Sequence, residues 1–171
     1  MNSTRPRTRA RWIRPFENRT VVLADLENPA KGTRRVAREM EGLERLILRA
    51  APPELGKTSV IYSCERSIFR ESSRLCSASE RNWRYVKPQP DPDGKNGPDN
   101  ALAMELTLNE FVLSSQRIMI LGGDGKLAKG AQAAIERGAL VYLLALEDSV
   151  NDAFWNISGL VIVELHHLGS I

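Results

Sequence analysis

The sequence predicts an α/β protein with a mostly parallel, twisted sheet of five to six strands covered by helices on both faces, a three-layer α/β/α arrangement. Three observations carry this. Short apolar runs rich in β-branched residues alternate with helical stretches from Thr20 onward. Those runs are continuous rather than alternating, the mark of strands buried on both faces. Finally, 171 residues with 42% hydrophobic and 26% charged content suffice for one domain with a real core.

The elements follow in order. Residues 20–25 (TVVLAD) form a first strand that ends in an acid. Gly32 and Thr33 open a helix to about Ala50, with Val36, Met40, Leu43 and Ile47 at three- and four-residue spacing, and Pro52 and Pro53 stop it. A second strand spans 58–62, a helix about 67–80, and a third strand 83–86. The segment KPQPDPDGKNGP (87–98) is dense in Pro, Gly and Asp and reads as a loop. Pro98 suits the first turn of a helix expected to run to about Leu113, since proline there forfeits no helical hydrogen bond. A fourth strand covers 117–121, a helix 127–137 closes on Gly138, and a fifth strand covers 139–146. Ser149 with Asp152 three residues on predicts a capping box for a short helix to about Asn156, and 160–165 gives a sixth strand. No internal repeat is present.

Charge is unevenly spread. Residues 1–20 hold six arginines against Glu17, net +5, while the remainder holds 18 basic and 20 acidic residues, net −2. Residues 1–19 therefore read as a basic, flexible arm preceding a near-neutral domain over 20–171. Arg5, Arg7, Arg9, Arg11 and Arg14 would attract phosphate backbones, and Trp12 and Phe16 could stack on bases. A solvated tail or an arginine-rich transit peptide would share this composition. No apolar run approaches the roughly 20 residues of a membrane span, and no secretory signal is visible, so a cytoplasmic location is expected. Cys64 and Cys76 lack zinc-site spacing and are read as two reduced thiols.

In parallel sheets the working groups collect at the carboxyl ends of strands. Three sequence-distant acids fall there. Asp25 closes the first strand in ADLEN (24–28), Asp99 sits in the first turn of the helix after the loop, and Asp124 follows the fourth strand in GGDGK (122–126). Clustered carboxylates repel and need a cation to stay ionised together. Oxygen-only ligands favour Mg²⁺ or Mn²⁺, and such an ion can activate water and stabilise charge on a phosphate being cleaved. Duller roles exist for each: a helix-dipole partner for Asp99, a turn residue for Asp124, an exposed or paired charge for Asp25. Glu27, Asp148 and Asp152 could join the set, although Asp152 is better explained as a cap.

ADLEN after a strand, GPDNALAMEL opening a helix, and ILGGDGKLAKGAQAAIERGALVYLL over 120–144 together resemble the NYN domain of the PIN-like nuclease superfamily, from about Val21 to Leu165. The resemblance implies a PIN-like α/β/α fold and Mg²⁺- or Mn²⁺-dependent hydrolysis of RNA. It assigns the metal to Asp25, Asp99 and Asp124, with Asn28 beside the first acid placing water or phosphate. Single-stranded RNA is the implied partner, held by the arm with Lys95 and Lys126, and the superfamily's habit of pairing allows a homodimer.

Two positions depart from the family pattern. Gly122 stands where a serine is usual, and Lys126 stands where a second aspartate is common. An ammonium there would repel one metal or take its place against phosphate, which leaves a one-metal site and raises the alternative of a PIN-like nucleic-acid-binding module that has lost catalysis. A second alternative is a nucleotide- or phosphate-binding protein using glycines 122, 123 and 125. Other chemistries fit worse. A Ser or Cys nucleophile would need His166 or His167 brought to the strand ends. GGDGK lacks the glycine spacing and following hydroxyl of a Walker loop, and it resembles a lipid-kinase nucleotide loop without the chain length of that fold. DPDGKN misplaces the glycine of an EF-hand.

Overall fold

The computed structural model describes residues 16–26, 45, 56–65, 69–70, 73–74, 82–146 and 149–165. Six strands, β1 (Glu17–Asp25), β2 (Lys57–Ser63), β3 (Asn82–Tyr85), β4 (Ser115–Leu121), β5 (Leu140–Leu146) and β6 (Val161–Leu165), form one sheet. All five pairings are parallel, in the order β3-β2-β1-β4-β5-β6. Helix α1 covers Gly97–Leu108, α2 Glu110–Leu113, α3 Ala128–Glu136 and α4 Asp152–Trp155. Most of the expected helices over 33–50 and 67–80 lies outside the described residues, though residues 45, 69–70 and 73–74 are helical.

Burial shows why the strands read as unbroken apolar runs. Val21, Leu23, Ile61, Ile118, Ile120, Val141 and Leu143 share a core with Leu102 and Leu106 of α1, Ala131 and Ala134 of α3, Leu127 and Phe154. Their strand neighbours Val22, Val60, Met119, Leu121 and Leu144 point to the opposite face and are buried too. Both faces are therefore covered, as the three-layer α/β/α fold requires. Each fully buried Leu or Ile contributes roughly 1.5–3 kcal/mol by leaving water. On the second face Tyr62 packs against Trp83 and Tyr85, and Phe69 lies tilted against Tyr85 with ring centroids 4.4 Å apart.

Three local expectations need correction. β1 begins at Glu17, so residues 17–19 belong to the sheet and not to a flexible arm. Arg19 is held there by Glu17, Ser114, Ser115 and the Phe111 carbonyl, with its guanidinium over the Phe111 ring. Phe16, immediately before the strand, is partly buried and packs against the core. The helix expected over 98–113 breaks at Asn109, which is extended and whose side chain accepts from Phe111 N at 2.9 Å. An asparagine offers the backbone that alternative partner and so ends α1 and caps α2. The expected Ser149–Asp152 capping box is replaced by Asn151, whose side chain accepts from Ala153 N. Among the described residues, no helix is long and apolar enough to cross a membrane.

Candidate functional site

The sheet order fixes where a site belongs. From β1 the chain builds outward through β2 and β3, then returns to lay β4 on the other side of β1. The strand order reverses between β1 and β4, and in open parallel sheets the crevice lies at the carboxyl ends of the strands where the order reverses. Ala24 pairs with Leu121, so Asp25 lies level with Gly122, the first residue past β4. Asp25 is buried, 5% exposed, at the strand terminus.

The segment after β4 is shaped by close approach. Gly122 has φ 140°, a left-handed value that side chains resist, and its N–H donates to the Leu144 carbonyl. A Cβ on Gly123 would stand 1.9 Å from the Ser149 carbonyl oxygen, and one on Gly125 2.7 Å from the Asn151 side chain. These glycines are needed for packing against the chain that follows β5. That purpose weakens the alternative in which they cradle a phosphate. Asp124 then accepts from Lys126 N at 2.8 Å and caps the 3-10 turn Gly125–Leu127 that leads into α3. The turn-residue role expected of Asp124 is therefore real, and its negative charge still acts on Asp99.

Asp99 occupies the first turn of α1, following Gly97 and Pro98. Its carboxylate makes no hydrogen bond or ion pair among the described residues. Burial, and next the negative charge of Asp124, push its carboxyl up from 3.8 to about 6, against a lowering influence from Lys126. Two carboxylates and an ammonium thus share one electrostatic neighbourhood.

Lys126 is not loose within it. Its ammonium donates to Asp91 Oδ2 at 2.9 Å and to Asn100 Oδ1 at 3.1 Å. Asp91 also accepts from Asn96 at 2.8 Å and Asn100 at 2.7 Å. These side-chain hydrogen bonds, led by that from Asn96, hold its carboxyl at about 2, below the ordinary 3.8. Asn100 in turn donates to the Gln89 carbonyl. Backbone bonds from Asp91 N to Lys95 O and from Gly94 N to Asp91 O close the loop into a tight turn. Asn96 takes a left-handed φ of 56° before α1.

The structure therefore brings Asp99, Asp124 and Lys126 together and sets Asp25 at the adjacent strand end. Among the described residues no group of three or more His, Cys, Asp or Glu side chains is arranged to hold a metal ion, so the three-acid cage expected from Asp25, Asp99 and Asp124 is not formed there. Asp99 and Asp124 are two carboxylates that act on one another electrostatically, and Mg²⁺ or Mn²⁺ sites of one or two carboxylates are completed by water and substrate phosphate. Lys95 lies exposed on the loop, 3.8 Å from Asp93. Asn28, Glu27, Asp148, the arm residues Arg5, Arg7, Arg9, Arg11, Trp12 and Arg14, and His166 and His167 lie outside the described residues. Sequence reasoning missed Asp91 and Asn100. A lysine in an acid's place demands a counter-charge, but its partner lies 35 residues upstream in a loop whose composition signals only a turn.

No family model matches the chain, and no curated protein matches it. Among solved structures it is similar to a protein of unknown function from Vibrio parahaemolyticus RIMD 2210633, with a TM-score of 0.57 and 11% identity, over 85% of this chain and 92% of that one. That likeness supports the α/β/α class of the fold.

Proposed function

We propose that this chain is a metal-dependent endoribonuclease that hydrolyses RNA phosphodiester bonds at the carboxyl ends of β1 and β4. The observation that supports it is the carboxylate of Asp99, half-buried, unpaired among the described residues and set against Asp124. A group so placed is destabilised when charged unless a cation joins it. Asp99 and Asp124 would hold one Mg²⁺ or Mn²⁺, with Asp25 bounding the crevice from β1. Such a cation lowers the pKa of water and offsets charge on a phosphate under attack. Lys126 presents a fixed positive charge beside the pair, where a phosphate oxygen entering the crevice would meet it. Lys95 and the arginines of the arm would hold flanking phosphates of a single strand.

The test is cleavage of labelled RNA in Mn²⁺ by the purified chain and by Asp124→Asn prepared identically. The reading expects the variant to lose activity by at least two orders of magnitude; equal cleavage would mark a contaminant and sink it. A second reading, a binding module without catalysis, draws on Lys126 among the acids and on the lack of a three-acid group among the described residues. It expects salt-sensitive RNA binding, no cleavage in any divalent ion, and no rise in melting temperature with Mn²⁺.

A further inference from the structure

A lysine two residues after Asp124 is placed to spoil the site. Its backbone N–H is bonded to the Asp124 carboxylate, so its side chain starts beside that acid, and its charge acts on Asp99 as well. A flexible four-carbon stem would let the ammonium settle on either carboxylate and compete with a divalent ion. The structure shows a different arrangement. The ammonium is drawn to Asp91 and Asn100, with both the lysine and Asp91 side chains about one-third exposed. Asp91 does not reach it by accident of a mobile side chain. Two asparagine amides fix both of its oxygens, Asn100 is itself tied to the Gln89 carbonyl, and backbone bonds to Lys95 and Gly94 close the turn beneath it. The loop is anchored to α1 at Gly97, where a Cβ would stand 2.8 Å from Pro88. Helix α1 carries both Asn100 and Asp99, so the clamp and the acid it spares ride on one rigid element.

We propose, resting on the divalent-cation reading above, that Asp91 is a positioning residue: with Asn100 it holds the Lys126 ammonium off Asp99 and Asp124, keeping that pair open to a cation while the lysine charge stays beside the crevice. Asp91 acts through Lys126 and touches neither cation nor phosphate. Removing its charge frees the ammonium to pair with the site acids, and cation affinity falls. Removing the lysine as well leaves nothing to hold back, and affinity returns.

The experiment is calorimetric titration of Mn²⁺ into the wild-type chain, Asp91→Ala, Asp91→Asn, Lys126→Met and the Asp91→Ala/Lys126→Met double variant, without RNA. Each is first checked for cooperative unfolding. Asp91→Asn keeps the shape of the turn and guards against a folding defect in Asp91→Ala. Both Asp91 variants should bind Mn²⁺ at least about tenfold more weakly, the size of effect usual for residues that support metal ligands. Lys126→Met and the double variant should bind alike and at least as tightly as wild type. Weak binding that persists in the double variant, or wild-type affinity in both Asp91 variants, would overturn the proposal while leaving the cation reading intact. No Mn²⁺ binding by the wild-type chain would overturn that reading and this proposal together.

Discussion

Replacing Asp99 with asparagine should make the metal-free protein more stable while disabling its site. Burial and Asp124 raise the Asp99 carboxyl from 3.8 to about 6. That rise corresponds to about 3 kcal/mol against the ionised form. Asp99 is part-exposed, and solvent screening reduces that to about 1–2 kcal/mol. An acid in a first helical turn also gains about 0.3–1 kcal/mol from the helix dipole, which asparagine forfeits. The repulsion wins, leaving a net gain of about 1 kcal/mol, or about 2–4 °C in a chain of this size. The sign depends on pH. Because the folded-state value is the higher, the native state binds the extra proton, and the penalty is absent below about 3.8 and grows as pH rises through about 6. Thermal melts in EDTA should therefore show Asp99→Asn above wild type at pH 8 and nearly equal to it at pH 4.5. Adding Mn²⁺ at pH 8 should raise the wild type and not the variant. An Asp99→Asn protein that melts below wild type at pH 8, or by the same margin at both pH values, would refute the electrostatic reasoning.

Other outcomes follow from the same geometry. Asp91, held at about 2 by its hydrogen bonds, contributes stability above about pH 3.8 that is lost as pH falls toward 2. The deficit of Asp91→Asn in chemical denaturation should therefore shrink on acidification. Lys126→Met should weaken metal-free RNA binding and reduce the slope of log affinity against log salt by about one, as read by fluorescence anisotropy. Gly123→Ala forces a methyl to within 1.9 Å of the Ser149 carbonyl oxygen. It should cost about 3 kcal/mol in urea unfolding, whereas a glycine kept only for phosphate binding would tolerate alanine.

The sheet was legible because its inner strands are buried on both faces and so write themselves as unbroken apolar runs, whereas the edge strands β3 and β6 are partly exposed. Residues 20–25, 58–62 and 117–121 needed little more than that. The helix break at Asn109 was not legible, since a single asparagine must choose between extending α1 and capping α2, and the packing of Phe111 around Arg19 accompanies that choice. The inclusion of Glu17–Arg19 in β1 was hidden because the arginine-rich composition of the arm runs unbroken into the strand. At the site, Asp25, Asp99 and Asp124 were visible from their positions at strand and helix ends. Their spacing was not, and among the described residues they do not form a group of three that could hold a metal ion. The partnership of Lys126 with Asp91 depends on a loop conformation that side-chain amides hold in place. Local pattern does not encode such a contact.

The most direct test is anomalous diffraction from a crystal soaked in Mn²⁺. One Mn²⁺ peak bonded to the Asp99 and Asp124 carboxylates, with Lys126 still on Asp91, is the expected result. An empty crevice at saturating Mn²⁺, or Lys126 bridging the two acids in its place, would contradict it.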